Sequence, residues 1–340
     1  MCALQVRPLD PFDDHQMRAW YDVYRASETH GRKYHGAFAH EEVRAAFRFQ
    51  QQTVVQNPLS AWLDGRIVGV AGCSVPMRDN LRQAQVSVGV HPDRWRQGVG
   101  TALLHDLERI ARDAGRTVLV GETSYPYDGP ADGRGTPGVE FATAHGFTLG
   151  LGDVQRVLDL PVASSRLDAL AASVAAKHEG YTFRQVTSPV PDDIALALGE
   201  LRAGVDSEAP MGEIEREPEL VDLDRIREDE AAMAEMGRVR YATVAFAPDG
   251  SPAGYTEYVV PEHDRPWIFQ WGTLVWREHR GHGLGLATKV RNTAWVQREH
   301  PDRTVVRTWN ADVNAPMIAV NEAMGFRPVD RLGEFQKRLG

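Results

Sequence analysis

Two short stretches hold the residues best suited to chemistry. One is HRGHGLGLATK, residues 279–289, where Gly281, Gly283 and Gly285 alternate with His282 and Leu284 behind Arg280. The other is DRWRQGVGTALL, residues 93–104, where Gly98, Val99 and Gly100 follow Trp95, Arg96 and Gln97. Glycine lets backbone N–H groups come close to a bound group and takes conformations that other residues resist. Each stretch runs into a helical pattern, and a helix start presents unpaired N–H groups and the positive end of a dipole. The chemistry on offer is a grip on an anion, most often phosphate, with Arg280, His282 and Arg96 as added donors. Two nucleotide spacings are excluded. Gly-x-Gly-x-x-Gly fails because its third glycine is Thr288 or Leu286, depending on the starting glycine. The nucleotide P-loop fails because Lys289 follows Thr288 instead of a glycine.

The two stretches belong to a repeat. Gly98 and Gly100 stand 185 residues before Gly283 and Gly285, and the same offset places Val90 on Val275, each closing an apolar run. After each loop comes an amphipathic helix pattern; in the first, Leu103, Leu104, Leu107 and Ile110 share one face. A strand follows (RTVLVGET, RTVVRTWN), then a short helix that ends on Gly-Phe. Upstream, each half has a hairpin with an Asp-Gly turn. Strands in antiparallel runs mixed with helices predict an α+β layered fold. We expect one domain over residues 1–160, a helical linker over 161–180 and a second domain over 181–340, each with a mixed, mostly antiparallel sheet flanked by helices.

Arg280-Gly281-His282-Gly283-Leu284-Gly285 resembles the Arg/Gln-x-x-Gly-x-Gly/Ala signature of the GNAT acetyltransferases, and it lies between the expected strand and helix. The resemblance covers the chain as two copies; in the first, Trp95 stands at the arginine position. It implies acetyl-CoA or another acyl-CoA as cofactor, its pyrophosphate on the glycine loop and its pantetheine beside the strand before that loop. That role falls on Thr273, Leu274 and Val275, and on Val88, Gly89 and Val90. A backbone N–H there would polarise the thioester carbonyl. Relatives place an acidic tyrosine four residues before Gly-Phe; here Asn321 and Ala142 occupy those positions. A base in some relatives is a carboxylate on the strand before the loop, which here offers only Gln270. Glu257 on the neighbouring strand is the candidate base or amine clamp, against a bland reading as an exposed or ion-paired strand residue. Asn314 reads as a helix cap and, through the resemblance, as a cofactor contact. Trp271 would line the acceptor pocket if it faces the cleft; Trp267, Trp271 and Trp276 otherwise read as packing. The acidic stretch 206–235 reads as a solvated helical face, with Glu213 as an attractor for a cationic amine.

The departures in the first half, including the glycine- and proline-rich insertion 125–138, lead us to expect chemistry in the second half and a degenerate first half. The expected function is acyl-CoA-dependent transfer to the primary amine of a small molecule by direct attack in a ternary complex. Acylation of an antibiotic or other secondary metabolite, and a non-catalytic CoA-binding or regulatory protein, are the alternatives. Composition bounds the partners. A net charge of −9 argues against non-specific nucleic-acid binding. With 42% hydrophobic residues over 340 positions there is material for two cores. Two cysteines, Cys2 and Cys73, permit neither a disulfide framework nor a zinc set, and Cys73 reads as a buried structural thiol. We expect no metal. No apolar run approaches the roughly 20 residues of a membrane helix, and the opening residues do not read as a signal peptide. A cytoplasmic protein is expected, and a homodimer is left open.

Overall fold

The computed structural model describes residues 3–210, 212–264 and 266–340. Cys2 lies outside them, as do Met211 and the side chain of Asp206 within the acidic stretch 206–235. The chain divides into two compact units. The first holds the chain up to Ser124, Arg134–Gly150 and Gly333–Gly340; the second holds Tyr125–Gly133 and Leu151–Leu332.

The first unit begins with β1 (Gln5–Pro8), α1 (Asp14–Thr29) and α2 (His40–Arg48). Then come β2 (Val54–Leu63), β3 (Arg66–Pro76), β4 (Gln83–Val90), α3 (Val99–Asp113), β5 (Val118–Pro126), α4 (Pro137–Ala144) and the start of β6 (Thr148–Asp159). Strands β1 to β4 pair antiparallel in sequence order, and β5 joins β4 in parallel. The β2–β3 turn places Asp64 and Gly65 at φ 49° and 74°, the two positive values that a tight hairpin of this hand requires. On α3 the predicted face is buried at Leu103, Leu104 and Leu107 and half-buried at Ile110; each buried leucine contributes about 1.5–3 kcal/mol. Cys73 is buried on β3, where burial pushes its thiol up to about 11, so it stays a packing residue.

The second unit continues with α5 (Ser164–Ala175), a short 3₁₀ turn over Ala176–His178, β7 (Thr182–Thr187), α6 (Asp192–Glu208) and α7 (Leu223–Glu235). It then runs through β8 (Arg238–Phe246), β9 (Pro252–Pro261), β10 (Trp267–Val275), α8 (Leu284–Glu299), β11 (Val305–Ala311), α9 (Ala315–Met324) and β12 (Arg327–Arg338). Strands β7 to β10 pair antiparallel in sequence order, β11 joins β10 in parallel, and β6 pairs antiparallel with β11. The acidic stretch is not one helical face. Helix α6 ends at Glu208, and α7 turns Ile226, Glu230, Ala232 and Met233 inward.

The boundary differs from the sequence-based one because two strands change unit along their length. Strand β6 starts in the first unit and finishes in the second, and β12 does the reverse. The last residues belong to the first unit through Leu339 N–H to the Thr117 carbonyl at 2.8 Å and Lys337 Nζ to Glu108 Oε1 at 2.6 Å. Local patterning cannot reveal such an exchange, since it reports a strand's faces and not its neighbours.

One buried position of α8 holds a lysine. Lys289, sixth residue of α8, is buried with its ammonium 5.5 Å from the centre of the Phe326 ring, where the sixth residue of α3 is the buried Leu104. Burial pulls its pKa down to about 7, against about 10.4 in the unfolded chain. A base whose folded pKa is depressed disfavours folding most below the folded value, and the cost disappears as pH rises to the unfolded value. Lys289→Leu is therefore expected to raise unfolding free energy by on the order of 4 kcal/mol near pH 6, with the gain vanishing above about pH 10. Denaturant titrations across that range check this; a gain independent of pH would contradict it.

Candidate cofactor and acceptor site

Both units contain the same break. Strands β4 and β5 pair in parallel only over Gln83–Gln85 with residues 118–120, although β4 runs on to Val90. Strands β10 and β11 pair only over Trp267–Phe269 with residues 305–307, although β10 runs on to Val275. Beyond those points the strands part, leaving one backbone edge of β4 and of β10 unpaired by its parallel neighbour. In β10 the register against β9 also shifts between Gln270 and Thr273. The residues named from sequence, Val88, Gly89 and Val90 and Thr273, Leu274 and Val275, lie on these parted ends.

The glycine loops then follow one plan. Gly98 precedes α3 at φ 81° and Gly283 precedes α8 at φ 67°, both left-handed. Two residues earlier the chain is left-handed again, at Arg96 (φ 61°) and Gly281 (φ 87°). Left-handed backbone costs a non-glycine residue roughly 1–2 kcal/mol, so Arg96 holds a conformation that its counterpart takes freely. Paired turns of this kind aim successive N–H groups at one point, in front of a helix start that supplies more. The residue before them latches the loop to the strand. Arg280 Nε donates to the Val275 carbonyl at 3.3 Å, and Trp95 Nε1 donates to the Val90 carbonyl at 2.9 Å. Trp95 thus performs the arginine's structural task; only the charge differs. Arg280's charge is already engaged, since Nη2 donates to Glu208 Oε2 at 2.6 Å.

The units differ in what covers the loop. Around Gly98 there is open space to 4 Å from a built Cβ, and residues 93–98, including Arg96 and Gln97, are exposed. Gly283 instead faces Val174 of α5, whose Cβ and Cγ1 would stand 2.9 and 3.0 Å from a built Cβ, with Lys177 Cδ at 3.8 Å. The His178 ring lies against the backbone of Val174 and His282, and burial, then Arg291, hold it below the usual histidine range. Tyr181 adds to this cover, with its hydroxyl 3.1 Å from His279 Nδ1 and its ring centre 5.2 Å from that of His282.

The parted strands differ in the same sense. Buried Gln270 spans the bulge in β10: its Nε2 lies 3.0 Å from the Glu257 and Gly272 carbonyls, and the Thr308 hydroxyl of β11 donates to its carbonyl at 3.1 Å. Strand β4 pairs with β3 without a bulge, and its position corresponding to Gln270 is the half-buried Val86. The buried Tyr255 hydroxyl occupies the space that a side chain on Gly272 would need, and Trp276 does so at Gly204 of α6, against Leu274. In the first unit Ser27 of α1 lies against Gly89, and Trp95 stacks edge-on to His30 at 5.0 Å.

The remaining sequence candidates separate. Glu257 is 3% exposed and accepts from Arg202 Nε and Nη2 at 3.0 and 2.7 Å. In this arrangement Glu257 is the buried ion-pair partner of Arg202. Asn314 caps α9, accepting from the Met317 N–H at 3.3 Å. Asn321 is buried and donates to Asn310 Oδ1 at 3.0 Å. Trp271 is 36% exposed with the Arg240 and Arg238 guanidinium carbons 5.5 and 5.9 Å from its ring centre. Glu213 is exposed in the α6–α7 connection beside buried Ile214. Among the described residues no group of three His, Cys, Asp or Glu side chains is placed to hold a metal, and no helix is long and apolar enough to cross a membrane. Sequence reasoning did not single out the stripe Met17, Tyr21, Tyr24 and Glu28, which runs along α1 at helical spacing.

Comparison with known proteins follows this geometry. Residues 15–129 match the family described as Acetyltransferase (GNAT) family. A tandem GNAT protein from the clavulanic acid biosynthesis pathway, solved without AcCoA, is 30% identical over 99% of each chain, with a TM-score of 0.79. A GCN5-related N-acetyltransferase from Sphaerobacter thermophilus has a TM-score of 0.65 at 16% identity, over 99% of this chain and 96% of its own. Saccharomyces cerevisiae N-myristoyltransferase, solved with bound myristoyl-CoA, has a TM-score of 0.60 at 10% identity, over 99% of this chain and 73% of its own. The last two share the fold alone. No curated protein sequence gives a match. The parted strands, the latched glycine loops and the full-length likeness together establish that the chain belongs to the GNAT acetyltransferase family, with its domain present in tandem.

Proposed function

We propose that the protein transfers an acyl group, acetyl in the first instance, from acyl-CoA to the primary amine of a small molecule, by direct attack in a ternary complex housed in the first unit. The sequence placed the chemistry in the second half. What supports the opposite assignment is the contrast between two corresponding glycines: open space at Gly98 and Val174 at Gly283. The family match over residues 15–129 points the same way.

The residues fit the cofactor. Acyl-CoA supplies the acyl group as a thioester. The N–H groups of the Gly98–Gly100 loop and the first turn of α3 would hold its pyrophosphate, with Arg96 and Gln97 as exposed donors. The unpaired edge of β4 at Val88, Gly89 and Val90 would hold the pantetheine arm. A small acceptor accords with the clavulanic acid pathway relative, and a cytoplasmic location suits a reaction that consumes acyl-CoA.

Thiol release from acetyl-CoA with a panel of small primary amines tests this. Gly98→Val is expected to lower kcat/KM by roughly two orders of magnitude. Gly283→Val is expected to keep activity within about threefold while lowering Tm by several degrees, since it strains a left-handed position against Val174. The reverse pattern would return the chemistry to the second unit. The latch gives a second prediction. Trp95→Phe removes the bond to the Val90 carbonyl and should weaken coenzyme A binding roughly fivefold. Trp95→Arg should restore it, because Arg280 makes the equivalent bond; calorimetry on both variants decides.

A further inference from the structure

The inference rests on the assignment of the chemistry to the first unit and names a residue for it. Helix α1 presents Met17, Tyr21, Tyr24 and Glu28 along one face, with Trp20 and Ser27 beside them. The first members are core residues. The stripe then leaves the core at its C-terminal end, where Ser27 lies against Gly89 on the parted end of β4. The second unit provides an internal control. Gly204 of α6 lies against Leu274, the counterpart of Gly89. Counting from that shared contact, Tyr24 corresponds to Leu201 and Glu28 to Val205, both part of an apolar cluster with Ile194 and Leu198. The same helix position is therefore apolar in the filled unit and carboxylic in the open one.

We propose that Glu28 is the general base of the acyl transfer, accepting a proton from the acceptor's ammonium directly or through one water. The freed amine attacks the thioester carbonyl carbon, a C–N bond forms and the C–S bond breaks. The second nitrogen proton leaves with the departing sulfur, so that amide and thiol result and Glu28 returns its proton to solvent. The surroundings suit this task. Glu28 is half-buried, and burial raises its carboxyl above the usual range against the opposing pull of Arg32 from the following loop. A base with a pKa closer to working pH is more effective than an ordinary carboxylate. Tyr24, one turn earlier, is raised by burial and then by the Glu28 charge, with Tyr21 and Glu42 of α2 adding to it, so it stays a neutral phenol. The Tyr24 hydroxyl accepts from the Phe38 N–H at 3.0 Å, and the Tyr21 hydroxyl donates to the Phe38 carbonyl at 3.1 Å. These two bonds fix the α1–α2 connection over the face that carries Glu28.

The test compares wild-type chain with Glu28→Gln and with Glu28→Val, which installs the side chain that the second unit already accommodates. Both variants are expected to lose about 100-fold or more in kcat, with coenzyme A affinity by calorimetry and Tm unchanged. Carboxyl-carbon NMR of the free protein should show one carboxylate titrating above the usual glutamate range that is absent in Glu28→Gln, at the pH of the acidic limb of kcat/KM. Variants within threefold of wild type, or an acidic limb that survives in them, overturn the role of Glu28 and leave the functional assignment standing. Absence of thiol release by the wild-type chain with every amine, or full activity in Gly98→Val, overturns the assignment itself.

Discussion

Two parallel strands that stop pairing after three residues set the terms for everything else in each unit. A strand edge released from its neighbour carries N–H and C=O groups that must find other partners. The same divergence leaves the strand end free to be latched by the next loop, through Trp95 in one unit and Arg280 in the other. That latch aims the left-handed turns, and the turns place the start of α3 or α8 where its unpaired N–H groups converge. The gap, the convergence of the loop N–H groups and the position of the helix start relative to the strand end are thus consequences of one backbone feature.

The units satisfy the released edge differently. In the second, protein groups do so: Gln270 spans the bulge, Thr308 ties β11 back to it, Tyr255 and Trp276 occupy the adjoining space, and Val174 with His178 covers the loop. These contacts bury large apolar and aromatic groups, each a stabilising contribution of a few kcal/mol. In the first unit β4 pairs with β3 without that bulge, Gly98 faces open space, and Glu28 stands at the helix position where the other unit has Val205. The two copies of one scaffold thus differ in how far protein groups fill the space beside the released edge.

Much of the architecture was legible in the chain. The shared offset of the glycine pairs, the Asp-Gly hairpin turn and the leucine face of α3 are local signals, and the structure places them as read. The unit boundary was not legible, because β6 and β12 change unit and strand neighbours are a long-range property. The division of labour is not settled by the signature either. Arg280 completes the family signature and Trp95 breaks it, yet both side chains donate to the same strand-end carbonyl, so the letter mattered less than the hydrogen bond. Glu257 looked like a base because its partner, Arg202, lies 55 residues away on α6. Glu28, late in α1, carries no signal in the sequence beyond the helical spacing of its stripe, because an acid there reads as solvated.

The account depends on which glycine loop takes the cofactor, and a crystal structure of the full chain grown with coenzyme A measures that directly. The expected result is pyrophosphate on the N–H groups of the Gly98–Gly100 loop and pantetheine along β4, with Val174 and His178 still covering Gly283. Coenzyme A on the Gly283 loop, alone or together with the first, would contradict it.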